Sequence, residues 1–423
     1  MADTIYALSS GRPPAAISVI RISGPSAHAA AQQIAGTLPE ARTAAVRELR
    51  HPVSGELLDE GLVLRFDAPA SSTGEDIVEF QCHGGRAVVD ALLAALSGTE
   101  GLREARPGEF TRRAFENGRI DLTEAEGLAD LIEAETESQR KAALALAEGG
   151  LKKQISIWQE RVLGLSAQAE RAIDYDEDDD ALDPSMVREC TALADELQLW
   201  LDRPRIEPLK DGVLVVVAGL PNAGKSSLIN AISGEERAIV TDIPGTTRDH
   251  IEVPLSLGGV PIRLTDTAGL HDTDDVVEAI GVERASKLVE MADVLVWLGD
   301  PDVAPAHARL IPVHAKADLG GNAPAGSVSV STVTSQGIDA LLEQIERQAR
   351  SVLPAEDALS LNRRQAQHVD EARSALTAAG SANDLLLIAE DLRLARTAFD
   401  RLTGRAGVED VFDALFGRFC LGK

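Results

Sequence analysis

The sequence predicts a multidomain protein in which an amino-terminal α+β domain precedes a discontinuous helical bundle, and a mostly parallel α/β domain is inserted into that bundle. The length of 423 residues allows two to four domains. Short apolar runs alternate with helical patterns between residues 210 and 347, which is typical of a parallel sheet covered by helices on both faces. The segments before and after this region show helical periodicity, and each is small. We therefore expect them to pack together as one helical bundle.

Composition and charge narrow the classes of function. The chain is 44% hydrophobic but only 3% aromatic, so its cores must be aliphatic. Its formal charge of −27 repels nucleic acid at long range, and any RNA contact needs a local basic patch or a basic partner. Cys82, Cys190 and Cys420 are far apart, which predicts neither a zinc site nor a disulfide framework and fits a reducing cytoplasm. The sequence has no signal pattern and no apolar run near the ~20 residues that span a bilayer, so we expect a cytoplasmic protein and no membrane contact.

Residues 1–118 are expected to form the amino-terminal α+β domain. The predicted strands are Ala16–Ile22, Leu62–Phe66 and Ile77–Phe80. The predicted helices are Ala27–Ile34 and Ala87–Leu96. The turn Arg106-Pro107-Gly108 is expected to end the domain. His83 could be a metal ligand, but no second ligand sits at a helical spacing, which favours a hydrogen-bonded turn histidine.

Residues 119–209 and 348–423 are expected to form the two parts of the helical domain. Asp121 followed by Glu124 predicts a capped helix start. Further helices are predicted at Leu151–Ile173, Pro184–Leu201, Ala389–Leu402 and Val408–Phe419. The run Asp174–Asp180 lacks the glycine and distal glutamate of a calcium loop, which favours a solvated acidic loop over a Ca²⁺ site.

The segment Val213–Ser227 carries the strongest functional signal. A run of aliphatic, mostly β-branched residues leads into the pattern G-x-x-x-x-G-K-S, which starts at Gly219, and a helix pattern follows. Gly219 and Gly224 permit turns that direct backbone N–H groups at a polyphosphate, while Lys225 supplies charge and Ser226 a hydroxyl for Mg²⁺. The helix adds the positive end of its dipole, so the sequence predicts a P-loop nucleotide site.

The nucleotide domain is assigned residues 210–347. Its predicted strands are Val213–Val217, Ile251–Leu257, Pro261–Thr265, Val294–Leu298, Leu310–His314 and Val328–Ser331.

Two motifs that follow later strands favour GTP over ATP. In Asp266-Thr267-Ala268-Gly269, the aspartate can hold Mg²⁺ through water and the glycine amide can sense a γ-phosphate. In Lys316-Ala317-Asp318, the carboxylate can accept both N1–H and N2–H of guanine, which adenine does not offer; a surface Lys-x-Asp is the alternative for this motif alone. Thr246 and Thr247 offer hydroxyls to the metal from a loop that can order and disorder.

Together these motifs resemble the translation-factor-related class of Ras-like GTPases, with some departures. Ala315 replaces the asparagine of Asn-Lys-x-Asp, which is expected to lower GTP affinity by ~1–3 kcal/mol unless another group replaces its hydrogen bonds. Ser331-Thr332 stands where the class has Ser-Ala, which is a mild change. Leu270 occupies the position of a water-orienting glutamine in many small GTPases, so hydrolysis needs other groups.

The whole chain resembles the MnmE (TrmE) family of tRNA-modification GTPases. The most distinctive matches are the tail Phe419-Cys420-Leu421-Gly422-Lys423 and the motif Arg106–Thr111. The other matches are Asp3–Ile5, Arg21–Gly24, Gly74–Asp76, His83–Gly85 and Asp121–Glu126.

The resemblance implies a homodimer joined through the amino-terminal domains, and a heterotetramer with the flavoprotein MnmG. That complex would add a carboxymethylaminomethyl or aminomethyl group to C5 of the wobble uridine, U34, of certain tRNAs, with tRNA bound mainly through the partner. The resemblance also implies a site for 5-formyl- or 5,10-methylene-tetrahydrofolate lined by Arg21, Glu79, Arg119 and Lys423. An ordinary salt bridge is the alternative for each of these residues, and Cys420 is either a reactive thiol or a packed one.

For hydrolysis, the resemblance implies Mg²⁺ held by Ser226 and Thr247, and a K⁺ ion that neutralises charge developing during phosphoryl transfer while two nucleotide domains meet across it. The implied K⁺ ligands are Asn222, Thr241, Ile243 and Thr246. The catalytic residues are then Glu278, which positions water, Lys225 and Thr247. The full GTP-binding set comprises Asn222, Ala223, Gly224, Lys225, Ser226, Ser227, Thr241, Asp242, Ile243, Pro244, Gly245, Thr246, Thr247, Asp266, Thr267, Ala268, Gly269, Lys316, Asp318, Ser331 and Thr332.

A second hypothesis is a regulatory GTP switch in ribosome assembly without modification chemistry. Such switches usually add a basic RNA-binding module, and none is evident in a sequence with a formal charge of −27. Copurification with ribosomal particles rather than with a flavoprotein would favour this hypothesis.

Overall fold

The computed structural model describes residues 3–175, 184–220, 222–235, 238–240, 252–266, 286–355, 358–406, 415–417, 419 and 422. The chain divides into two units, one formed by Met1–Ala129 with Asp400–Lys423 and the other by Asp130–Phe399. Among the described helices, none is long and apolar enough to cross a bilayer. The division into domains at residues 118, 209 and 347 stays a prediction.

A six-stranded sheet forms the base of the first unit, in the spatial order β3-β4-β5-β2-β1-β6. The strands are β1 (Thr4–Leu8), β2 (Ile17–Ser23), β3 (Ala45–Arg50), β4 (Leu57–Phe66), β5 (Ile77–His83) and β6 (Leu102–Glu104). Neighbouring strands are antiparallel except β1 and β6, which run parallel. The sequence predicts β2, β5 and the second half of β4, whereas β1, β3 and β6 are missed because each is short or carries charges that interrupt the apolar alternation.

Two helices cover one face of this sheet. α1 (Ala27–Ala35) and α2 (Arg86–Ser97) match the predicted helices to within one residue at each end. Alternation along β2 turns Ile20 and Ile22 toward these helices, where both side chains are fully buried. Burial of an aliphatic side chain of this size contributes about 1.5–3 kcal/mol to stability.

The opposite face is covered at β1 by a helix that sequence analysis missed. α3 (Glu109–Glu116) buries Phe110 against Ile5 and Ala7 of β1. The turn ending at Gly108 is expected to close the domain, but Gly108 instead has a left-handed φ of 70° and starts this helix. Since half of the helix residues are charged, its apolar positions do not stand out as a periodic stripe.

The predicted capping box is confirmed at the start of α4 (Leu122–Glu133). The Asp121 carboxylate accepts the N–H of Glu124 at 2.9 Å, and the Glu124 carboxylate accepts the N–H of Asp121 at 2.7 Å. This exchange satisfies two backbone donors that a helix start leaves unpaired. Most of the helix predicted at 408–419, and most of the acidic run after Asp174, lies outside the described residues.

The second unit starts with helices that precede the nucleotide segment. They are α5 (Glu137–Ala147), α6 (Gly150–Tyr175), α7 (Pro184–Leu201) and α8 (Glu207–Lys210). α6 and α7 lie within two residues of their predicted bounds, whereas α5 and the short α8 were not anticipated. A capping box between Thr136 and Gln139 starts α5.

A seven-stranded mixed sheet follows, in the order β13-β12-β11-β7-β10-β9-β8. Its strands are β7 (Val213–Gly219), β8 (Ala238–Val240), β9 (Glu252–Leu257), β10 (Val260–Asp266), β11 (Val294–Leu298), β12 (Leu310–His314) and β13 (Val328–Ser329). The strands from β13 to β10 are parallel, and β9 and β8 add antiparallel pairs at one edge. β13 ends two residues before its predicted end, because the chain turns at Ser331.

Helices lie between these strands, with α9 at Lys225–Ser233, α10 described over residues 286–291, and α11 at Ile338–Val352. Val215 and Val217 of β7 enter the core that contains residues of α9 and α11. Leu214 and Val216 enter a separate core on the other face. Burial on both faces explains the unbroken aliphatic run in this strand.

Helices from both sides of the nucleotide segment share one core. α12 (Arg363–Ala379) and α13 (Leu385–Thr403) follow the segment. Trp158 of α6 is fully buried, edge-on to Trp200 of α7 with 5.3 Å between ring centroids, and stacked on Phe399 of α13 at 5.8 Å. The two helical blocks therefore pack on each other.

Candidate functional site

The loop between β7 and α9 has the backbone conformation that phosphate binding requires. Gly219 has a φ of 151°, and a Cβ there would lie 2.3 Å from the carbonyl oxygen of Leu298, so only glycine fits. Asn222 and Gly224 adopt left-handed φ values of 60° and 99°, and α9 begins at Lys225. The first N–H groups of a helix have no intrahelical partner, so this turn presents donors to a phosphate.

Lys225 and Ser226 have defined partners at the start of α9. Lys225 is 8% exposed, and its Nζ donates to the carbonyl oxygens of Gly219 and Leu220, each at 3.1 Å. The Ser226 hydroxyl donates to Asp266 Oδ2 at 2.7 Å, which joins the P-loop to the end of β10. A hydroxyl and a carboxylate are hard oxygen ligands, so the pair fits a Mg²⁺ ion.

A buried serine orients the carboxylate predicted to recognise guanine. Ser331 is fully buried and donates its hydroxyl to Asp318 Oδ1 at 2.6 Å. The hydroxyl oxygen of Ser331 also accepts the N–H groups of Val333 at 3.3 Å and Thr334 at 3.2 Å. The sequence suggested Ser331 only as part of the guanine motif, because its bond to a residue 13 positions earlier leaves no local signal.

Lys316 ties the guanine motif to the P-loop. Its backbone has a left-handed φ of 59°, and its Nζ donates to the carbonyl oxygen of Asn222 at 3.1 Å. Ala315, which replaces the asparagine of the GTPase motif, packs against the aliphatic core. Thr332 is exposed beside Ser331.

Several predicted site residues lie outside the described residues. They are Thr241, Asp242, Ile243, Pro244, Gly245, Thr246, Thr247, Thr267, Ala268, Gly269, Glu278, Cys420 and Lys423. Their roles stay predictions.

In the first unit, Arg21 and Glu79 form an ion pair. The antiparallel register of β2 and β5 places these residues directly opposite each other, and Arg21 Nη2 lies 2.8 Å from Glu79 Oε1. The Arg21 guanidinium also lies 5.5 Å from the centre of the Phe110 ring, within cation–π range. Arg119 is exposed, and its stem lies beside Gly74; among the described contacts, none joins it to this pair.

The carboxyl-terminal motif lies against the end of β1. The Ser9 hydroxyl donates to the carbonyl oxygen of Gly422 at 2.8 Å. Gly422 has a left-handed φ of 94°, and a Cβ there would lie 2.0 Å from the carbonyl oxygen of Leu8. Phe419 is buried beside Ala125 of α4. The motif is therefore packed into the first unit at both positions that the structure describes.

Comparison with known proteins identifies the family. A model of the MnmE helical domain matches residues 122–420, and a model of the GTP-binding protein TrmE N-terminus matches residues 4–119. The chain is 52% identical, over all of both chains, to the tRNA modification GTPase MnmE of Erythrobacter litoralis. It is 50% identical to the protein of that name from Zymomonas mobilis, over 99% of this chain and 100% of that one. The chain belongs to the MnmE family.

As a member of the MnmE family, the chain is a GTPase. Among solved structures, the G domain of the T. maritima FeoB iron transporter is similar to it, with 27% identity over 32% of this chain and 98% of that one. The TM-score of 0.24 is too low to support a functional comparison.

Residues from several MnmE-family motifs meet in a buried polar network in the first unit. Arg113 of α3 has a 9% exposed side chain and pairs with Asp3, Glu75 and Glu109 at 2.7–3.2 Å. Glu75 Oε2 also accepts the hydroxyl of Ser23 at 2.7 Å. Sequence analysis missed Arg113 because its partners lie up to 110 residues away.

The two described cysteines are buried. Burial raises the pKa of the Cys82 thiol and of the Cys190 thiol to about 11, so both are protonated near neutral pH. His83 is hydrogen-bonded, as the absence of a second metal ligand at a helical spacing predicted, and its Nδ1 lies 2.8 Å from Asp59 Oδ1.

Proposed function

We propose that this protein hydrolyses GTP in a complex that modifies tRNA in the cytoplasm. With the flavoprotein MnmG, it adds a carboxymethylaminomethyl or aminomethyl group to C5 of wobble uridine U34. The observation that carries the proposal is the 2.7 Å contact between Ser226 and Asp266, in a chain that matches MnmE-family models over residues 4–119 and 122–420. The organisation proposed is a GTPase domain at residues 210–347, inserted into a helical domain.

The GTP phosphates bind at the start of α9. Lys225 exchanges its bonds to Gly219 and Leu220 for bonds to the outer phosphates, while loop amides surround them. Ser226 and Thr247 would hold Mg²⁺, and the Asp266 carboxylate beside Ser226 would support the ion. When bound, that ion neutralises the negative charge of the phosphates.

The guanine base is recognised at the ends of β12 and β13. Asp318 accepts N1–H and N2–H of the base, and Ser331 orients its carboxylate. The hydrogen bond from Lys316 to the carbonyl oxygen of Asn222 joins the base site to the phosphate site. Adenine offers no matching pair of donors, so the site selects GTP.

Hydrolysis uses groups other than a glutamine. Glu278 orients the attacking water, since Leu270 at the usual glutamine position has no polar side-chain atom. Asn222 is exposed on the P-loop, where it fits a cation ligand. The proposed K⁺ ligands are Asn222, Thr241, Ile243 and Thr246. K⁺ held by these residues where two nucleotide domains meet would supply positive charge that stabilises the transition state.

A one-carbon tetrahydrofolate binds in the first unit. Arg21 and Glu79 support this proposal because they are a half-buried pair of opposite charge, with side chains 24% and 16% exposed. Glu79 fits the amino edge of a pterin, and Arg119 and Lys423 fit a folate carboxylate. When bound, 5-formyl- or 5,10-methylene-tetrahydrofolate supplies the one-carbon unit.

The chain forms a homodimer through its amino-terminal domains. Away from α3, one face of the six-stranded sheet carries exposed aliphatic side chains: Ile17 is 61% exposed and Val46 56%. Val46 lies opposite Leu62 in the register of β3 and β4, so these side chains are neighbours on one face. A second copy would bury this surface, which supports the dimer.

Mass analysis of the wobble nucleoside in cells that lack this protein tests the proposed function. We expect the C5 modification to be lost, and restored by the wild type and by Ser233→Ala, which alters the opposite end of α9. Ser226→Ala should not restore it, because it removes the Mg²⁺ ligand. Intact modification in the deletion strain, together with copurification of the protein with ribosomal particles, would instead support the ribosome-assembly switch.

A further inference from the structure

Three side chains of the kinds that bind metal ions meet beside the six-stranded sheet. His28 lies in α1, Asp67 follows β4, and Asp76 precedes β5. Each residue offers one nitrogen or oxygen atom, and these three atoms all lie within 4.8 Å of one another. Among the described residues, no other group of three histidine, cysteine or carboxylate side chains is spaced to hold one ion. We call this group the His28 cluster.

The strand register places the two carboxylates of the cluster across from each other. Phe66 pairs with Ile77 at the last step of β4 and β5, so Asp67 and Asp76 are the first residues beyond the paired strands. Like charges that face each other across two strands are destabilising. This end of the hairpin therefore favours a position for positive charge.

Arg65 supplies part of that positive charge. Its Nε donates to Asp67 Oδ1 at 2.7 Å, and its Nη2 donates to Asp67 Oδ2 at 3.1 Å. Arg42 also reaches the loop between the strands, but its guanidinium donates to the carbonyl oxygen of Ala70 rather than to a carboxylate. Arg65 therefore offsets one of the two negative charges, and with a neutral imidazole the cluster keeps a net negative charge.

Asp76 has an oxygen available for a further partner. Its Oδ1 accepts the N–H of Ala68 at 2.9 Å, whereas its Oδ2 is the atom that faces His28. A carboxylate oxygen has two lone pairs, so the oxygens of Asp67 can also bind an ion beside the donors of Arg65. All three side chains of the cluster are partly exposed, so an ion can reach them from solvent.

The imidazole of His28 faces both carboxylates without a hydrogen bond to either. Its Nε2 lies 3.5 Å from Asp67 Oδ1, and its Nδ1 lies 3.6 Å from Asp76 Oδ2. Both separations exceed the ~2.7–3.2 Å of a normal hydrogen bond from nitrogen to oxygen. Nε2 is itself buried and has no hydrogen-bond partner among the described residues. Ligand atoms about 2.0 Å from one tetrahedral zinc ion lie roughly 3.3 Å apart, so the spacing suits ligands of a shared ion.

We propose that the His28 cluster binds a divalent metal ion of the zinc type, through one imidazole nitrogen and one carboxylate oxygen from each aspartate. Zn²⁺ accepts this combination of ligands, and water would complete its coordination. The aspartates lie at the two ends of the β4–β5 loop, so the ion would fix this loop to α1. The same loop carries Glu75 to its ion pair with Arg113. None of the three ligands belongs to the proposed GTP, K⁺ or folate sites, so the inference is independent of the proposed function.

Zinc titration of the full-length, nucleotide-free protein tests the inference, after a chelator has removed bound metal. The probe is ZnCl₂ in competition with a fluorescent zinc indicator, in buffer without Mg²⁺. We expect His28→Gln and Asp76→Asn each to weaken the binding of one zinc equivalent by at least about tenfold. The matched control is Asp59→Asn, which removes a carboxylate bonded to His83 in the same unit. Since no third ligand is spaced to join that pair among the described residues, the control should bind zinc like the wild type.

Arg65→Gln should change zinc affinity in the opposite direction. Its guanidinium occupies both oxygens of Asp67, so its removal frees a ligand and should strengthen zinc binding several-fold. Hydrogen exchange followed by mass spectrometry gives a local readout: zinc should slow exchange in residues 67–76 of the wild type but not of His28→Gln. Circular dichroism in the presence of chelator checks that each variant is folded, and Asp76→Asn serves if His28→Gln is not.

Three outcomes would overturn the inference. They are equal zinc affinity in the wild type, His28→Gln and Asp76→Asn, a loss of the same size in Asp59→Asn, and exchange in residues 67–76 that responds to pH but not to zinc. The last outcome would assign the cluster to an imidazolium that pairs with the two carboxylates. Loss of wobble-uridine modification on gene deletion would still support the proposed function in each case.

Discussion

Ser331 donates its hydroxyl to Asp318 Oδ1 at 2.6 Å, across 13 residues of chain, and is itself fully buried. Ser331→Ala should therefore weaken GTP binding without preventing it, since Asp318 remains but is no longer oriented. Hydrogen bonds to charged groups contribute about 1.5–3 kcal/mol, which corresponds to about 10- to 150-fold in Kd. Titration with a fluorescent guanine nucleotide measures the change. The matched control is Thr332→Ala at the exposed neighbour, and equal effects of the two substitutions would contradict the orienting role.

Ala315→Asn should strengthen GTP binding. Ala315 packs against the aliphatic core beside Lys316, and the asparagine of the wider GTPase class would add amide hydrogen bonds to the base and to the phosphate loop. A gain of about 1 kcal/mol is expected, or roughly fivefold in Kd, provided that the larger side chain fits. A stable variant with unchanged affinity would show that another group already supplies these contacts.

Replacing K⁺ with Na⁺ should slow GTP turnover. The larger ion fits the carbonyl and amide ligands proposed around Asn222, whereas no glutamine is present at Leu270 to orient water. Turnover is measured at matched ionic strength, so that screening of the −27 charge is constant. Equal turnover rates in KCl and NaCl would contradict the proposed role of K⁺ in hydrolysis. They would not contradict the proposed GTP-binding site.

Arg113→Ala should destabilise the amino-terminal unit. The Arg113 guanidinium pairs with Glu75 and Glu109, whose side chains are 15% and 13% exposed. The substitution therefore leaves both carboxylates buried without this partner. Breaking such a buried arrangement costs about 3–5 kcal/mol. Hydrogen exchange followed by mass spectrometry should show faster exchange in β1 and α3. The neighbouring Arg112→Ala removes an exposed pair with Glu116, so it should change exchange little.

Low pH should destabilise the ion-pair network that Arg113 forms with Asp3 and Glu109. The hydrogen bond from Arg103 lowers the pKa of Asp3. For Glu109, burial acts to raise the pKa, but hydrogen bonds from Arg103 and from the Arg106 N–H outweigh it, so the pKa is lowered. A carboxylate whose pKa is lower in the folded state than in the unfolded state stabilises the protein at pH values above its unfolded-state pKa. This contribution is lost as the pH falls through the folded-state pKa.

This pH dependence is measurable as a fall in protection of β1 amides between pH 5 and pH 3, after correction for intrinsic exchange. Glu109→Gln should make the fall smaller, because the glutamine does not titrate. If the variant shows the same pH dependence as the wild type, Glu109 is not one of the groups responsible.

The sequence by itself determined the local features. Gly219, Gly224 and Lys225 identify a P-loop because its backbone turns and charge come from neighbouring residues. The capping box at Asp121 and Glu124 is likewise contained in four positions, and α7 matches its predicted bounds because its apolar stripe is complete. Family motifs along the whole chain were sufficient for the resemblance to MnmE proteins.

Only the tertiary structure decided which distant residues meet. The contact of Ser226 with Asp266 spans 40 residues, that of Arg113 with Asp3 spans 110, and that of Ser9 with Gly422 spans 413. Strand order and helix packing bring these side chains together, and neither is encoded in the spacing of the residues themselves. α3 was missed for a related reason: its buried face is defined by β1, so its short and highly charged sequence has no visible stripe of its own.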